Sequence, residues 1–452
     1  MVALADDALI AVPAAPRRLL GFWMCLALVM GNMIGSGVFL LPASLAPYGW
    51  NAVIGWVLTI AGVLCLARVI ALLARQLPTA GGPHGFTEAA FGETPAFLVS
   101  WSYWVGIVVG NAAIASAAVG YLSLFAPAMA ATQGATTLST VGLIWLFTLI
   151  NLAGARSAGV VQLTTTILKV IPLIAVIVII AVVFGGGHGA IAPLHRGDLS
   201  AGAVTGSASL AMFAMMGFEC AAVAGARVHD APRTVPRATM IGALATGLIY
   251  LVTCSGIALM LPANEVAASN APFALFVARY WSAGWALVIA GFAAISTLGA
   301  LNGWILAQGE VPLAMARGGG LPRWFGVTRA NGAPARALMV SSVLSTILVC
   351  SNASRGAAGL FAFLALVSTA SNLFLYLACA VSAFRLRAVG IVRFGMGMAV
   401  VTAIGVLFTL WTLFGAGTAS LLGFGLMAGG LPVYWWTRSA AAAEPPEEAA
   451  VA

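Results

Sequence analysis

The sequence predicts an all-α polytopic membrane protein with 12 transmembrane helices, and three observations carry that reading. Of 452 residues, 62% are hydrophobic and 7% charged, with a mean hydropathy of +1.05. That leaves too little polar surface to cover a soluble domain. Twelve apolar runs long enough to cross a bilayer follow one another, at about 20–45, 50–72, 98–125, 136–154, 160–184, 203–226, 238–262, 283–312, 337–352, 357–384, 394–414 and 419–436. The arginines, finally, gather in alternate connections between these runs.

Arg17 and Arg18 precede the first run. Arg75, Arg156, Arg227, Arg233, Arg237, Arg317, Arg323, Arg329, Arg336, Arg385, Arg387, Arg393 and Arg438 fill the even-numbered connections and the C-terminal end. The opposite side holds Arg196, Arg279 and Arg355. Basic residues stay inside, so twelve spans place both termini in the cytoplasm of a multi-pass protein of the cell (inner) membrane. The net charge of +8 is then topology, and it offers no footing for a nucleic-acid partner. The first run is too long for a signal-peptide core and has no credible cleavage site, so it is expected to remain as a span.

Taken in order, the spans differ in what they carry. The first contains Gly31-Asn32-Met33-Ile34-Gly35-Ser36-Gly37-Val38-Phe39, which is poor helix filling at mid-membrane. Close packing of small residues explains one such pair. An unwound segment lining a cavity explains the whole stretch better. Arg68 near the end of the second span can snorkel to the interface. The fifth, Gln162–Val183, holds Lys169, the sole lysine of the chain, followed by Pro172. An ammonium there costs at least ~2.5–3.5 kcal/mol, so it is expected to face protein or water. Reaching the interface would take roughly 14 Å of helix, a long way for a snorkelling lysine. The sixth carries Gly217 two residues before Glu219, the sole acid deep in a span. Weak points in spans one and six, at matching places in two halves of five, point to an inverted-repeat transporter. Glu310, near the end of the eighth span, reads as interfacial. The eighth run is long and the ninth short, so one or both are expected to be irregular. Ser439–Ala452 reads as a disordered cytoplasmic tail.

Other chemistry finds little support. The six cysteines are scattered singly through apolar runs and read as packing residues. The four histidines fall in connections, and Gly185–Gly189 lacks the Lys-Ser/Thr ending of a phosphate loop. No metal or cofactor is expected. A channel would offer a repeated filter or rings of charge. A membrane-embedded enzyme would offer a nucleophile–base pair or metal ligands within the spans.

At these residues the chain resembles a known family. Gly31–Phe39, the Pro78–Phe91 connection, Tyr103-Trp104, Gly110-Asn111, Gly217-Phe218-Glu219 and Arg233–Pro236 together are similar to the amino acid–polyamine–organocation superfamily. Within it they are nearest the basic amino acid/polyamine antiporters and their arginine/agmatine branch. The likeness runs from about residue 20 to 436. It implies the leucine-transporter fold: two inverted five-helix repeats (20–184 and 203–384) plus helices 11 and 12 (394–436), flanked by residues 1–19 and 437–452. A homodimer is often formed in that family.

The resemblance also implies a site. Asn32, Met33, Ser36 and Gly37 would meet the α-carboxylate and amine of an amino acid. Gly106, Ile107, Asn111 and Ile114 would line the cavity beside the gate residue Tyr103. Phe213, Met216 and Gly217 would surround the substrate, with Glu219 at a pH-sensitive gate. Trp304 would stack on a side-chain cation, and Ser368 and Tyr376 would supply a pocket hydroxyl and a second gate. Lipid-facing or interfacial placement is the alternative for the aromatics Tyr103, Phe213 and Trp304.

Phe213 stands where the arginine/agmatine branch has tryptophan, and Gly106-Ile107 replaces an Ala-Cys pair. Lys169 has no counterpart in that branch. It is similar to the fifth-helix lysine of sodium-independent members, which occupies a site used by sodium in distant relatives. These residues imply a secondary active amino acid transporter, an antiporter or proton-coupled carrier, independent of sodium. Its small-molecule substrates would be cationic amino acids or amines such as arginine, ornithine or agmatine, with neutral amino acids as the alternative.

Overall fold

The computed structural model describes residues 21–78, 82–153, 168–187, 189–223 and 228–443. Arg17, Arg18, Arg156, Arg227 and His188, the start of the fifth predicted span, part of the Pro78–Phe91 connection and the end of the tail lie outside them.

The first span is two helices, α1 (Phe22–Met33) and α2 (Ser36–Leu45), with a 42° bend between them. Then come α3 (Trp50–Gln76), α4 (Pro83–Phe91), α5 (Glu93–Leu122), α6 (Gln133–Leu152) and α7 (Ile171–Gly185). The sixth span is α8 (Ala201–Met215) followed by the one-turn α9 (Cys220–Val223). α10 (Ala231–Met260), the short α11 (Ala263–Ala268) and α12 (Pro272–Tyr280), α13 (Ala283–Arg317), α14 (Ala335–Ser351), α15 (Gly356–Ala388), α16 (Met396–Gly415), α17 (Thr418–Ala428) and α18 (Gly430–Ala443) complete the order. Among the described residues eight helices are long and apolar enough to cross a bilayer, with the bent α1–α2 pair and the shorter apolar α7 and α14 beside them. The protein is a multi-pass α-helical membrane protein.

Three differences from the sequence reading have local causes. The long eighth span is one continuous helix of 35 residues despite Pro312. A proline cannot donate to the carbonyl four residues back. The Gln308 carbonyl accepts instead from Ser341 Oγ at 3.0 Å. The twelfth span, read as continuous, is interrupted at Gly429, where α17 gives way to α18. And α18 runs to Ala443, beyond residue 436 where the span was expected to end and into the supposed tail. Its Ser439–Ala443 stretch is four alanines after a serine, good helix-forming sequence.

The interior is apolar but crossed by a polar seam joining α5, α6, α13 and α14. Asn111 Nδ2 donates to Gln308 Oε1 at 2.8 Å, and Gln308 Nε2 donates to Ser342 Oγ at 3.0 Å. The hydroxyls of Ser342 and Thr148 share a bond of 2.7 Å, and Trp104 Nε1 donates to Ser341 Oγ at 2.9 Å. In hydrocarbon an unmade bond is costly, so these contacts fix the four helices against one another.

Small residues set the other close approaches. A methyl group on Gly55 of α3 would sit 2.4 Å from Ser207 Oγ and 3.0 Å from the Ala208 amide nitrogen of α8. Gly425 of α17 has open space at the same place. Overpacking of this kind costs about 1–3 kcal/mol. Gly55→Ala should therefore lower the thermal midpoint of the detergent-solubilised protein by several degrees, while Gly425→Ala leaves it unchanged or raises it. Equal midpoints for the two variants would contradict the packing described.

Candidate functional site

The site begins where α1 stops. Ile34 N–H still closes onto the Met30 carbonyl at 2.7 Å, then the chain extends through Ile34 (ψ 91°) and Gly35 (φ −137°, ψ −152°). The carbonyls of Gly31 and Met33 fall where the helical ladder is interrupted, and buried carbonyls need donors. Lys169 Nζ donates to the Gly31 oxygen at 2.9 Å, and Tyr250 Oη donates to the Met33 oxygen at 2.8 Å. Lys169, in a turn just before α7, is 1% exposed. Farther along α2, Pro42 frees the Val38 carbonyl, which takes Cys254 Sγ at 3.8 Å. The Phe39 carbonyl accepts from Tyr121 Oη at 2.7 Å.

The second break faces the first. α8 ends at Met215, Met216 is extended (φ −67°, ψ 151°), and Gly217 has φ +107°. A side chain at 217 would be strained by that φ and would meet the Asn32 backbone at 3.1 Å, so the position demands glycine twice over.

Two residues on, the Glu219 carboxyl is 1% exposed and accepts three hydrogen bonds. Oε1 takes Tyr103 Oη at 3.2 Å, while Oε2 takes Tyr376 Oη at 2.8 Å and the Gly217 amide at 3.1 Å. Tyr103 comes from α5 and Tyr376 from α15, so one carboxyl group ties three spans together. Phe218 stacks on the Tyr376 ring with centroids 4.9 Å apart. All three bonds suit an acceptor-only carboxylate. A proton on either oxygen turns an acceptor into a donor and loosens at least one of the contacts.

Between the breaks lies a cavity, walled by residues of both opened helices and of α5, α13 and α15. Of the expected residues, Asn32, Met33, Gly37, Tyr103, Gly106, Ile107, Ile114, Phe213, Met216, Glu219, Trp304 and Ser368 line it. Among the described residues Glu219 is the one ionisable carboxyl on its wall. Phe213 packs edge-on against Phe361 at 5.7 Å and gives the wall an apolar face. Ser368 Oγ donates to the Gly106 carbonyl at 2.7 Å.

Of the remaining expected residues, Gly217, Tyr376, Lys169 and Asn111 sit around the cavity without lining it. Gly217 and Tyr376 stand behind Glu219, and Lys169 stands behind the first break. Ser36 begins α2. Asn111 is fully buried, with its amide spent on Gln308. Spacing along α5 suits either Gly110 or Asn111 on the cavity face, and packing against α13 turns Gly110 inward. Sequence reasoning missed Gly35, Gly110, Ala214 and Asn372. Asn372 is the consequential omission. Its Nδ2 donates to the Ser368 carbonyl at 2.8 Å, and its Oδ1, buried at the cavity, has no partner. Its position one helical turn after Ser368 was the available signal.

A family model described as amino acid permease matches residues 20–430. The cadaverine/lysine antiporter of Escherichia coli (strain K12) is 31% identical over 413 residues, 89% of this chain and 91% of that protein. The putrescine transporter of Haemophilus influenzae (strain ATCC 51907 / DSM 11121 / KW20 / Rd) is 30% identical over 412 residues, 90% of this chain and 94% of that protein. A Bacillus subtilis (strain 168) protein with a provisional arginine/ornithine antiporter name is 31% identical over 392 residues, covering 80% and 83% of the two chains.

Glu219→Gln tests the carboxyl directly. Glutamine keeps the shape and can still accept from Gly217, so the protein should fold with an unchanged thermal midpoint. It cannot gain or lose a proton, so the pH dependence of transport in liposomes should flatten and the rate should fall by about a hundredfold or more, the lower end of the scale for an essential proton-transfer group. A wild-type pH profile would remove Glu219 from any gating role.

Proposed function

The chain belongs to the amino acid permease family, and on that premise we propose that it is a sodium-independent inner-membrane exchanger of cationic amino acids and their amines. Both termini would lie in the cytoplasm, and the five-helix halves 20–184 and 203–384 would move against each other around the cavity. A homodimer is part of the proposal.

The observation that carries this reading is the cavity between two opened helices, bounded by a carboxyl group held by one tyrosine from α5 and one from α15. The substrate α-carboxylate and amine would meet the backbone groups around Asn32–Gly37 and Met216–Gly217, since half-helix ends attract charge of the opposite sign. The side-chain cation would lie over Trp304, where cation–π contact is worth ~2 kcal/mol when desolvated. Glu219 adds a carboxyl on the same wall, and Asn372 Oδ1 offers an acceptor. Relatives named for lysine, cadaverine and putrescine favour the same substrates.

Exchange would alternate with the Glu219 contacts. With Tyr103 and Tyr376 both donating to one carboxylate, α5, α9 and α15 are drawn together and that side of the cavity is shut. Protonation or substrate cation near Glu219 weakens the clasp and lets the walls part. Lys169 would keep the Gly31 carbonyl satisfied through the cycle in the place where other carriers need sodium. A neutral amino acid is the second reading, and Phe213 with Ile107 and Met216 favours it by making one wall wholly apolar.

Counterflow into liposomes loaded with lysine decides between the two. Lysine, ornithine, arginine, cadaverine and putrescine should each suppress uptake of labelled lysine more strongly than alanine, leucine or methionine. Better suppression by the neutral amino acids would overturn the cationic assignment.

Replacing external sodium by choline should leave the exchange rate unchanged. Lys169→Ala should abolish exchange while substrate binding in detergent persists, because it strands a buried carbonyl at the hinge and leaves the cavity wall intact. A sodium requirement in the wild type would refute the role given to Lys169.

A further inference from the structure

A second cleft, at the arginine-rich end of the helices and apart from the substrate cavity, is lined by four arginines. Arg68 and Arg75 lie two turns apart on α3, and Arg233 and Arg237 lie one turn apart on α10. Leu72 and Met398 of α16 give it an apolar border, and its empty volume is about 820 Å³. The Asp230 carboxylate reaches Arg233 at 4.0 Å. Among the described residues Arg68, Arg75 and Arg237 have no carboxylate at ion-pair distance. The N-terminus of the 30-residue α10 opens at Ala231 beside them, adding the positive end of a helix dipole.

The preference of basic residues for the inner side explains why these arginines sit at this end. It does not explain why four share one cleft. Like charges at such range repel, and an anion of matching shape offsets that repulsion. Guanidinium groups match phosphate oxygens in geometry as well as in charge.

The surroundings narrow the anion to one class. From Arg237 the same face of α10 continues at helical spacing through Ile241, Leu244 and Leu248, which are 49%, 42% and 49% exposed. On α3 the Arg68 face likewise continues through Leu64 and Ala61 to Val57, 51% exposed. Apolar side chains left open on a membrane helix face acyl chains. The cleft is therefore cationic at its mouth and runs onto two apolar ridges that point into the hydrocarbon.

We propose that this cleft binds the phosphate headgroup of an anionic phospholipid, whose acyl chains lie along the α10 ridge. The headgroup joins α3 and α10 at one end. These helices are already in contact through Trp56 and Tyr250, whose rings are 5.8 Å apart, and Tyr250 is the residue that satisfies Met33 at the first break. Lipid bound here therefore stiffens the helix pair that supports the substrate cavity.

Native mass spectrometry of the purified protein in micelles doped with equal dioleoylphosphatidylglycerol and dioleoylphosphatidylcholine tests this. The wild type should retain the anionic lipid preferentially. Each arginine near a membrane surface adds roughly 1 kcal/mol toward anionic lipid, so Arg68→Gln with Arg237→Gln should cut that preference about thirtyfold. Arg68→Lys with Arg237→Lys should keep most of it, and Arg355→Gln, at the other end, should change nothing. An unchanged preference in the double glutamine variant overturns the site. A second measurement needs no variant: phosphatidylglycerol should raise the wild-type thermal midpoint, and phosphatidylcholine or inorganic phosphate should not. If inorganic phosphate raises it as much, the cleft is a site for free anions and the lipid assignment fails.

Discussion

An opened helix inside a membrane leaves carbonyl groups that water cannot reach, and the donors that answer them decide where the helix can open. In this protein the Gly31 and Met33 carbonyls are met by Lys169 before α7 and Tyr250 of α10. Neither donor belongs to the opened segment or its neighbours in sequence. The break in α1–α2 is thus maintained by two distant parts of the chain. Without the ammonium the same backbone would need water or an ion at that place, or would wind back into a helix and close the cavity. The cost of burying an ammonium is offset because the charge meets a carbonyl dipole that would otherwise be unpaired.

The sixth-span break rests on a different device. Gly217 adopts a backbone conformation that side chains avoid, and its amide points at the carboxyl two residues ahead. Glu219 therefore serves its own break and, through Tyr103 and Tyr376, the two walls beyond it. The coupling is economical in residues: one proton changes a local turn and two interhelical contacts together. Lys169 and Glu219 lie behind opposite breaks, so their charges act on separate hinges instead of neutralising each other in an ion pair.

Much of this was legible in the sequence, for physical reasons that can be named. Lys169 and Glu219 stood out because charge deep in an apolar run is rare and must be accounted for. The broken spans stood out because Gly-Ser-Gly beside Asn cannot fill a helix well. Tyr103, Trp304, Ser368 and Phe213 were ordinary residues until the family resemblance singled them out, and all four line the cavity. What stayed hidden depends on how helices rotate against each other. Asn111 and Gly110 differ by one position and 100° of helix, and only the Gln308 side chain across the seam decides which faces the cavity. Asn372 escaped because a buried asparagine bonded one turn back looks like packing. The Gly429 interruption and the extension of α18 to Ala443 turn on a glycine pair, the second packed against Trp101, and an alanine run, signals too weak to read without the packed neighbours.

The polar seam and the opened helices make complementary demands. The seam joins α5, α6, α13 and α14 through side chains that have few other partners, so those helices should behave as one rigid wall. The opened helices α1–α2 and α8–α9 have backbone groups held by only one or two contacts each. Among the hydrogen bonds that join the opened helices to their surroundings are those of Lys169 to Gly31 and of the tyrosines to Glu219. Tyr103 is the meeting point, since it stands on the rigid wall and reaches across to the carboxyl on the moving side. A proton arriving at Glu219 need not deform the wall at all. It needs only to release one hydroxyl, while the Cys220 and Ala222 amides keep their bonds to the Gly217 and Glu219 carbonyls.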